Sequence, residues 1–372
     1  MKSATCIPAL LAAVLPTLAL VACDGEPAGS DARSDEEAVL EIVDNLRAAG
    51  YPDAEIEVRD DDTVLVGGDA VVSLEASREM VGHAGHDDRD DGVELRHYRS
   101  TNQVAAWVDK ICVDGSALTG TASAALDEAL ANYTDLALSF DMVRTSGFVA
   151  GCDALITFSM IDGKAASSGF PSAGLPYATV LLGDDIAPSF GLAVTKHVIT
   201  HELGHCIGLR HTDYYNRAIS CGGGGNEGDA DVGVVHIPGT PTTATWNGSI
   251  MNACYNAGNT GEWTASDLTA LTTLYPKSPI PPAPSPLSKA SEACYGLYDI
   301  TWAPQAGATH YQLYRSTSSG FTTLMQVYSG SDPEALINVA SGTWYLRARS
   351  CNISGCSAWS NQVSATRIAT CN

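Results

Sequence analysis

The apolar residues near the start of the chain follow two different spacings. Residues 36–48 place Val39, Ile42 and Leu46 on one helical face, which predicts a helix. Two strand-like runs follow, EIEVRD at 55–60 and DTVLVGGDAVVSLEA at 62–76. Together they predict a small α+β unit over residues 35–92. It ends in the polar run GHAGHDDRDDG at 82–92, which is typical of a linker and a cleavage site.

Residues 93–276 alternate between helical and strand periodicity. Helices are predicted at 122–136, 193–209 and 266–275, and strands at 111–116, 136–143, 153–160 and 177–183. This order favours an α+β domain in which a mixed sheet packs against two long helices and a C-terminal helix. The segment GFPSAGLPYATVLLG at 169–183 is either a site where an extended substrate adds as a strand or a covered sheet edge.

The end of the chain has a different pattern. Six prolines lie between residues 276 and 289, so residues 277–290 are interpreted as a stiff linker. Short strands then recur over 291–372, which predicts an antiparallel sandwich. With Trp302 in an early strand and Tyr345 in a late one, this region resembles a fibronectin type III domain. Its aromatic residues are expected in the core, and a carbohydrate- or protein-binding surface is the alternative.

The N-terminus indicates export. One lysine precedes an apolar run too short for an ordinary membrane span, so residues 1–22 are interpreted as a signal peptide. Leu20-Val21-Ala22-Cys23 resembles the lipobox of bacterial lipoproteins, in which Cys23 would carry the lipid and residues 23–34 would form a tether. Cleavage after Ala22 without a lipid is the alternative. We expect a protein of the cell envelope, facing outward and held to the membrane only by this anchor, or a secreted protein.

Charge and cysteine usage agree with an exported protein. The chain has 43 acidic and 20 basic residues and a formal charge of −23, so nucleic acid is a poor partner. Cysteines outside the cytosol are expected to pair. We expect disulfides between Cys351 and Cys356 and between Cys294 and Cys371, and a free thiol at Cys206.

The candidate chemistry lies in HELGHCIGLRH at 201–211, which has the spacing HExxHxxGxxH. His201 and His205 are one helical turn apart, so both imidazoles can reach one metal ion. Glu202 lies beside that ion, where a carboxylate can take a proton from a water that the metal activates. Gly208 permits a positive φ that ends the helix and returns His211 as the third ligand. Three histidines with an open position favour one catalytic Zn²⁺.

Further residues carry a family resemblance. Met251, in SIMN at 249–252, resembles the methionine turn of metzincin peptidases, where it would support the site without binding the metal. More narrowly, HELGHCIGLRHTD resembles the dual-action HEIGH metallopeptidases of myxobacteria. The resemblance implies a zinc endopeptidase acting on proteins or peptides, with Glu202 as the general base. Astacin-like metzincins have a tyrosine two residues after the methionine, where this chain has Ala253, so the oxyanion-stabilising residue is left among Tyr214, Tyr215 and Tyr255.

Two lesser sites are predicted. Val66-Gly67-Gly68-Asp69 resembles the astacin propeptide segment in which an aspartate blocks the zinc, which implies that residues 35–92 are a latency segment with Asp69 as its ligand. The alternative is a plain Gly-Gly-Asp turn. The loop CGGGGNEGDADVG offers Ca²⁺ the oxygen atoms of Asn226, Glu227, Asp229 and Asp231, with a polar loop as the alternative.

A competing function remains open at this point. The alternative is a surface adhesion or binding lipoprotein with a vestigial zinc site, in which the C-terminal sandwich would carry the binding function. The intact Glu202 argues against it, because a purely structural metal site does not need a general base.

Overall fold

The computed structural model describes residues 35–83, 97–228, 234–241, 243–290 and 296–367. The helices are α1 Asp35–Ala48, α2 Leu74–His83, α3 Gly120–Thr134, α4 Ile186–Cys206, α5 Ala218–Cys221 and α6 Ala265–Leu274. The strands up to the linker are β1 Ile56–Val58, β2 Val64–Val66, β3 Ala70–Val71, β4 Tyr98–Arg99, β5 Lys110–Asp114, β6 Asp141–Thr145, β7 Ala154–Ile161, β8 Ala166–Gly169, β9 Thr179–Gly183 and β10 Val235–His236. The remaining strands are β11 Ser288–Lys289, β12 Leu297–Thr301, β13 His310–Ser316, β14 Met325–Gly330, β15 Glu334–Asn338, β16 Thr343–Asn352, β17 Gly355–Cys356 and β18 Val363–Thr366.

The central sheet has eight strands in the order β1-β2-β3-β8-β9-β7-β5-β6. Strands β6, β5, β7 and β9 run parallel to one another, whereas β8 runs antiparallel to β9. The sheet is therefore mixed, as the sequence predicts. Strand β8 was missed by the sequence analysis because ASSG has neither β-branched residues nor alternating polarity.

The N-terminal hairpin extends this sheet. Strand β3 pairs in parallel with β8, so that Ala70 lies opposite Ser168 and Val71 opposite Gly169. The strand-like run predicted at 62–76 is wrong at its C-terminal end, because residues from Leu74 onward form α2. Apolar residues of α1, α2 and the hairpin make a local core that includes Leu46, Val64 and Met80. The domain boundaries read from the sequence stay predictions.

Helices α3 and α4 pack together over the sheet. Alanines dominate the buried face of α3, and alanine has the highest helix propensity. The Tyr133 hydroxyl donates to the Thr200 carbonyl at 2.8 Å, which fixes α3 against the middle of α4. Helix α4 contains a kink at Gly191, where φ is 75°, so the regular helix that carries the histidines starts after this residue.

The C-terminal region is a sandwich of two antiparallel sheets. One sheet has the order β11-β12-β15, and the other has the order β14-β13-β16-β17 with β18 paired to β16. Trp302, Tyr311 and Leu346 are among its buried residues, as expected for a sandwich core. The preceding linker is held against this sandwich, since the Asn352 side chain donates to the Pro279 carbonyl at 2.8 Å. Within the described ranges, no helix combines the length and apolar character that crossing a bilayer requires.

Candidate metal centre

The three predicted histidines converge at the C-terminal end of α4. His201 and His205 lie on its last two turns, and the helix ends at Cys206. Gly208 has a φ of 103°, and a Cβ at this position would lie 2.6 Å from the Asn102 carbonyl oxygen. The chain therefore turns back sharply at a glycine, as predicted, and brings His211 onto the face occupied by the other two imidazoles.

The spacing of the imidazole nitrogens fits one metal ion. The Nε2 atom of His211 lies 3.3 Å from Nε2 of His201 and 3.2 Å from Nε2 of His205. In a tetrahedral zinc site with bonds of about 2.0–2.1 Å, ligand atoms lie roughly 3.3–3.4 Å apart. All three side chains are buried, at 7%, 1% and 1% exposure in chain order.

Asp69 supplies a fourth group. Its Oδ2 atom lies 3.1 Å from Nε2 of His211 and 3.5 Å from Nε2 of His201, and its Oδ1 atom lies 3.7 Å from Nε2 of His205. The ligand atoms of the four residues all lie within 4.8 Å of one another. Burial alone would raise the pKa of Asp69, but the three histidines outweigh it and hold the pKa well below its ordinary value. The N-terminal unit thus delivers a carboxylate to the three histidines.

The second nitrogen of each histidine has its own hydrogen-bond acceptor. His201 Nδ1 donates to the Ile250 carbonyl at 2.8 Å, and His205 Nδ1 donates to the Leu209 carbonyl at 2.7 Å. In a neutral imidazole with Nδ1 as the donor, Nε2 is the unprotonated nitrogen, and this tautomer presents Nε2 to a metal. Burial lowers the pKa of His205 to about 3, which also keeps its imidazole neutral.

His211 differs because its acceptor is a carboxylate. Its Nδ1 donates to Glu227 Oε1 at 2.6 Å, and the Glu227 side chain is only 3% exposed. Arg210 donates to the other oxygen of Glu227 at 3.3 Å. Burial opposes ionisation of Glu227, but His211 and Arg210 outweigh it and lower its pKa to about 2. The sequence predicts Glu227 as a ligand of a calcium loop, and its contact with His211 has no sequence signal beyond an acidic residue at the end of a glycine-rich loop. Asp229 and Asp231 lie outside the described residues.

Glu202 is adjacent to the histidine cluster and almost fully buried, at 2% exposure. Its Oε2 atom has no hydrogen-bond partner within the part of the chain that the structure describes. Burial raises the pKa of Glu202 well above its ordinary value, and the Asp69 carboxylate adds to the shift. Because Ser168 Oγ donates to the backbone carbonyl of Glu202 at 2.8 Å, strand β8 holds this residue in place.

Met251 packs directly under the site. A Cβ at Gly204 would lie 2.6 Å from Met251 Sδ, so the glycine lets the sulfur approach the histidine helix closely. The turn before Met251 is held by Asp267 in α6. The carboxylate of Asp267 accepts hydrogen bonds from Ser249 Oγ at 2.5 Å and from the Ile250 amide at 3.1 Å. Asp267 is not predicted from the sequence, because nothing in a single sequence connects a helix-capping aspartate to a turn 17 residues earlier.

An open cavity of about 240 Å³ adjoins the site and is lined by Asp69, His201, Glu202 and Tyr255. The Tyr255 hydroxyl donates to the Lys164 carbonyl at 2.8 Å. The other two tyrosine candidates lie elsewhere. Tyr214 is buried against Tyr98, and the Tyr215 hydroxyl accepts from the Ala244 amide.

The cysteine predictions have mixed outcomes. A disulfide joins Cys351 and Cys356, and Cys206 is a buried free thiol, as predicted. Two further disulfides, which the sequence analysis did not pair, are Cys112–Cys152 and Cys221–Cys254. The predicted Cys294–Cys371 bond and the lipid attachment at Cys23 lie outside the described residues.

Three buried histidines and Asp69 are arranged to hold a metal ion, and Glu202 lies beside them with an Oε2 atom that has no partner among the described residues. Residues 64–275 match the family model of the dual-action HEIGH metallo-peptidases. The chain therefore belongs to this family, and membership implies a metallopeptidase. A comparison with curated proteins found no match.

Solved structures similar to part of the chain include fibronectin type III domains. The structure titled FN3tt mut is 20% identical and covers 24% of this chain and 97% of its own, with a TM-score of 0.21. A Fn3-like protein from Clostridium thermocellum is 20% identical and covers 25% of this chain and 100% of its own, with a TM-score of 0.22. The sixth fibronectin type III domain of a human protein that contains such domains is 16% identical and covers 26% and 94%, with a TM-score of 0.22.

Proposed function

We propose that this protein is an exported zinc endopeptidase that is held inactive by its own N-terminal segment. The observation that carries the proposal is the convergence of three imidazole Nε2 atoms beside Glu202, whose Oε2 atom has no partner among the described residues. His201, His205 and His211 would hold Zn²⁺, because three imidazole Nε2 atoms at this spacing suit a tetrahedral ion. When bound, zinc supplies a Lewis acid that polarises a peptide carbonyl and lowers the pKa of water.

Glu202 is the proposed general base. Its Oε2 atom is buried without a partner among the described residues, and its side chain lines the cavity in which a peptide would lie. It would accept a proton from the water that attacks the scissile carbonyl and return this proton to the leaving amine nitrogen.

The family resemblance to metzincins is supported by the surroundings of the site. An antiparallel strand, β8, follows the parallel strands of the catalytic region, and Met251 lies beneath the histidines. We propose that an extended substrate adds to β8 as a further strand, which would carry its backbone past Glu202. Tyr255 is the candidate for stabilising the oxyanion, because it is the one of the three predicted tyrosines that lines the cavity.

We further propose that residues 35–92 are a latency segment. Asp69 lies among the three histidines, where it would occupy the position that water and the substrate carbonyl need. Strand β3, which follows directly, occupies the edge of β8 on which the substrate would add. One segment therefore covers both the metal position and the substrate strand, and its release would open both together.

Export and membrane attachment remain part of the proposal. They rest on the apolar N-terminus and on the Leu20–Cys23 sequence that resembles a lipobox. Three disulfides among the described residues are consistent with an oxidising compartment. Labelling with a radioactive fatty acid would test the anchor, since Cys23→Ser should abolish incorporation and wild-type protein without any label would contradict it.

Peptide cleavage by the full chain tests the proposed activity. Asp69→Asn should cleave a quenched peptide library faster than the wild type, and Asp69→Asn combined with Glu202→Gln should lose this activity while keeping its zinc. Activity that survives Glu202→Gln would contradict the role of Glu202. If every variant binds zinc without cleaving any peptide, the site is vestigial and the C-terminal sandwich carries the function.

A further inference from the structure

Arg217 connects the N-terminal segment to the loop behind the metal site. It immediately precedes α5, and its Nη2 atom donates to Glu55 Oε2 at 2.6 Å. Its Nη1 atom donates to the backbone carbonyl of Gly67 at 2.8 Å. Glu55 and Gly67 both belong to the segment that delivers Asp69. One guanidinium thus binds this segment at two points that are twelve residues apart in sequence.

The ion pair is well shielded from water. The Glu55 side chain is 5% exposed and that of Arg217 is 21% exposed. Charge-assisted hydrogen bonds in such surroundings are stronger than surface ion pairs, which water and salt screen. By contrast, the Arg59–Glu57 pair in the same N-terminal unit has side chains that are 32% and 54% exposed. The contact with Arg217 should therefore resist separation more strongly than an exposed ion pair would, and it acts together with the pairing of β3 with β8.

Glycines lie on both sides of this contact, in the N-terminal segment and in the loop that ends at Glu227. Gly67 and Gly68 have φ values of 65° and 92°, which favour glycine. A Cβ at Gly67 would lie 2.8 Å from Cδ of Glu227, and a Cβ at Gly225 would lie 1.6 Å from Oε1 of Glu55. Glycines thus let the two segments approach each other at both points, so the close contact is a property of the sequence and not only of one arginine side chain.

The third nitrogen of the guanidinium, Nε, makes no hydrogen bond with the described residues. It is buried and lies 3.9 Å from Oε1 of Glu227. The guanidinium is therefore drawn toward the N-terminal segment at the expense of a bond with Glu227. If the segment left, Arg217 would lose both acceptors, and the carboxylate of Glu227 would be the nearest replacement.

We propose that Arg217 is a latch that keeps Asp69 on the metal site by binding Glu55 and the Gly67 carbonyl. This inference rests on the proposed latency of residues 35–92. The latch opens without leaving a buried charge unpaired, because Arg217 exchanges Glu55 for Glu227 as the segment departs. Glu227 also accepts from the metal ligand His211, so release of the segment and the surroundings of the metal site are linked through one carboxylate.

The variant Glu55→Gln tests the latch in the full chain, because it keeps the shape of the side chain and removes its charge. A hydrogen bond to a charged group contributes enough that its loss should favour segment opening by about tenfold or more. Peptide cleavage should rise by the same factor if segment opening limits it. Glu57→Gln is the matched control, since it removes a carboxylate of the same unit that pairs only locally with Arg59.

Hydrogen exchange gives a readout that does not depend on catalysis. The Ser168 amide donates to the Asp69 carbonyl at 3.1 Å, and the Phe170 amide donates to the Val71 carbonyl at 3.3 Å. Both amides lose their acceptors when the segment leaves, so both should exchange about tenfold faster in Glu55→Gln and remain unchanged in Glu57→Gln. Arg217→Lys should also speed exchange, because lysine lacks the planar fork that reaches two acceptors.

The outcomes separate the latch from the latency on which it rests. If Asp69→Asn is activated but Glu55→Gln exchanges and cleaves like the wild type, the latch is wrong and latency stands. If Asp69→Asn shows no activation, latency is wrong, and exchange at Ser168 and Phe170 still decides whether Arg217 holds the segment. Equal effects of Glu55→Gln and Glu57→Gln would overturn the latch, because the unit would then respond to any loss of charge.

Discussion

Replacement of Asp267 should destabilise the catalytic region from beneath the metal site. This aspartate is 1% exposed and caps α6, where Thr264 and Asp267 form a reciprocal capping box. Its Oδ1 atom accepts from His97 Nε2 at 2.9 Å as well as from Ser249, and its Oδ2 atom accepts from the Ile250 and Thr264 amides. Burial opposes its ionisation, but these hydrogen bonds outweigh it and lower the pKa of Asp267.

The size of the loss in stability depends on which hydrogen-bond donors around Asp267 can find a new partner in the variant. In Asp267→Asn the amide oxygen can keep the Oδ2 position, while the Ser249 hydroxyl and His97 turn to accept from the new amino group. The charge is lost but the two backbone donors stay satisfied, so we expect a loss of about 3 kcal/mol. Asp267→Ala leaves the Ile250 and Thr264 amides without an acceptor and should cost about 5 kcal/mol.

Thermal unfolding, monitored by circular dichroism, measures the Tm of both variants. For a region of this size, about 3 kcal/mol lowers Tm by roughly 6–12 °C. Asp127→Asn is the control, because the Asp127 side chain is 62% exposed in its pair with Arg144 and should shift Tm by less than about 2 °C. A shift in Asp267→Asn no larger than in this control would refute the account of the capping aspartate as the support of the turn.

Three further changes have expected outcomes. Glu227→Gln should weaken zinc binding by about 10- to 100-fold in a chelator competition, since it removes the charged partner of a ligand; unchanged affinity would argue against that role. Gly204→Ala should lower the free energy of unfolding by about 1–3 kcal/mol, because its Cβ would lie 2.6 Å from Met251 Sδ; an unchanged urea midpoint would show that the methionine moves freely. Removing the Cys112–Cys152 disulfide, which closes a 40-residue separation, should cost about 4 kcal/mol, and a variant with unchanged Tm would contradict this loop-closure value.

The metal ligands could be predicted from the sequence because each depends on local geometry. His201 and His205 are one helical turn apart. A glycine at position 208 indicates a positive φ, and the structure has a φ of 103° there. The helix containing the two histidines is predicted at 193–209 and observed at Ile186–Cys206 with a kink at Gly191, since helix termini depend on hydrogen bonds that periodicity does not show. Asp69 was proposed only through a family resemblance, and the structure places it among the histidines.

The supporting residues could not be predicted, because they act across large sequence separations. Glu227 contacts His211 from a loop 16 residues away, and its carboxylate could equally have served a calcium site. Glu55 meets Arg217 across 162 residues. Periodicity and spacing report on neighbours within a few residues, whereas the contact of Glu55 with Arg217 depends on how the N-terminal unit packs on the sheet edge.

X-ray absorption at the zinc edge tests the central claim most directly, because it counts the ligands of a bound ion. The full chain should hold one zinc per chain with three imidazole nitrogens and one carboxylate oxygen, and Asp69→Ala should keep the three nitrogens while losing the carboxylate. A protein that holds no zinc, or a zinc with fewer than three imidazole ligands, would contradict the account of this site.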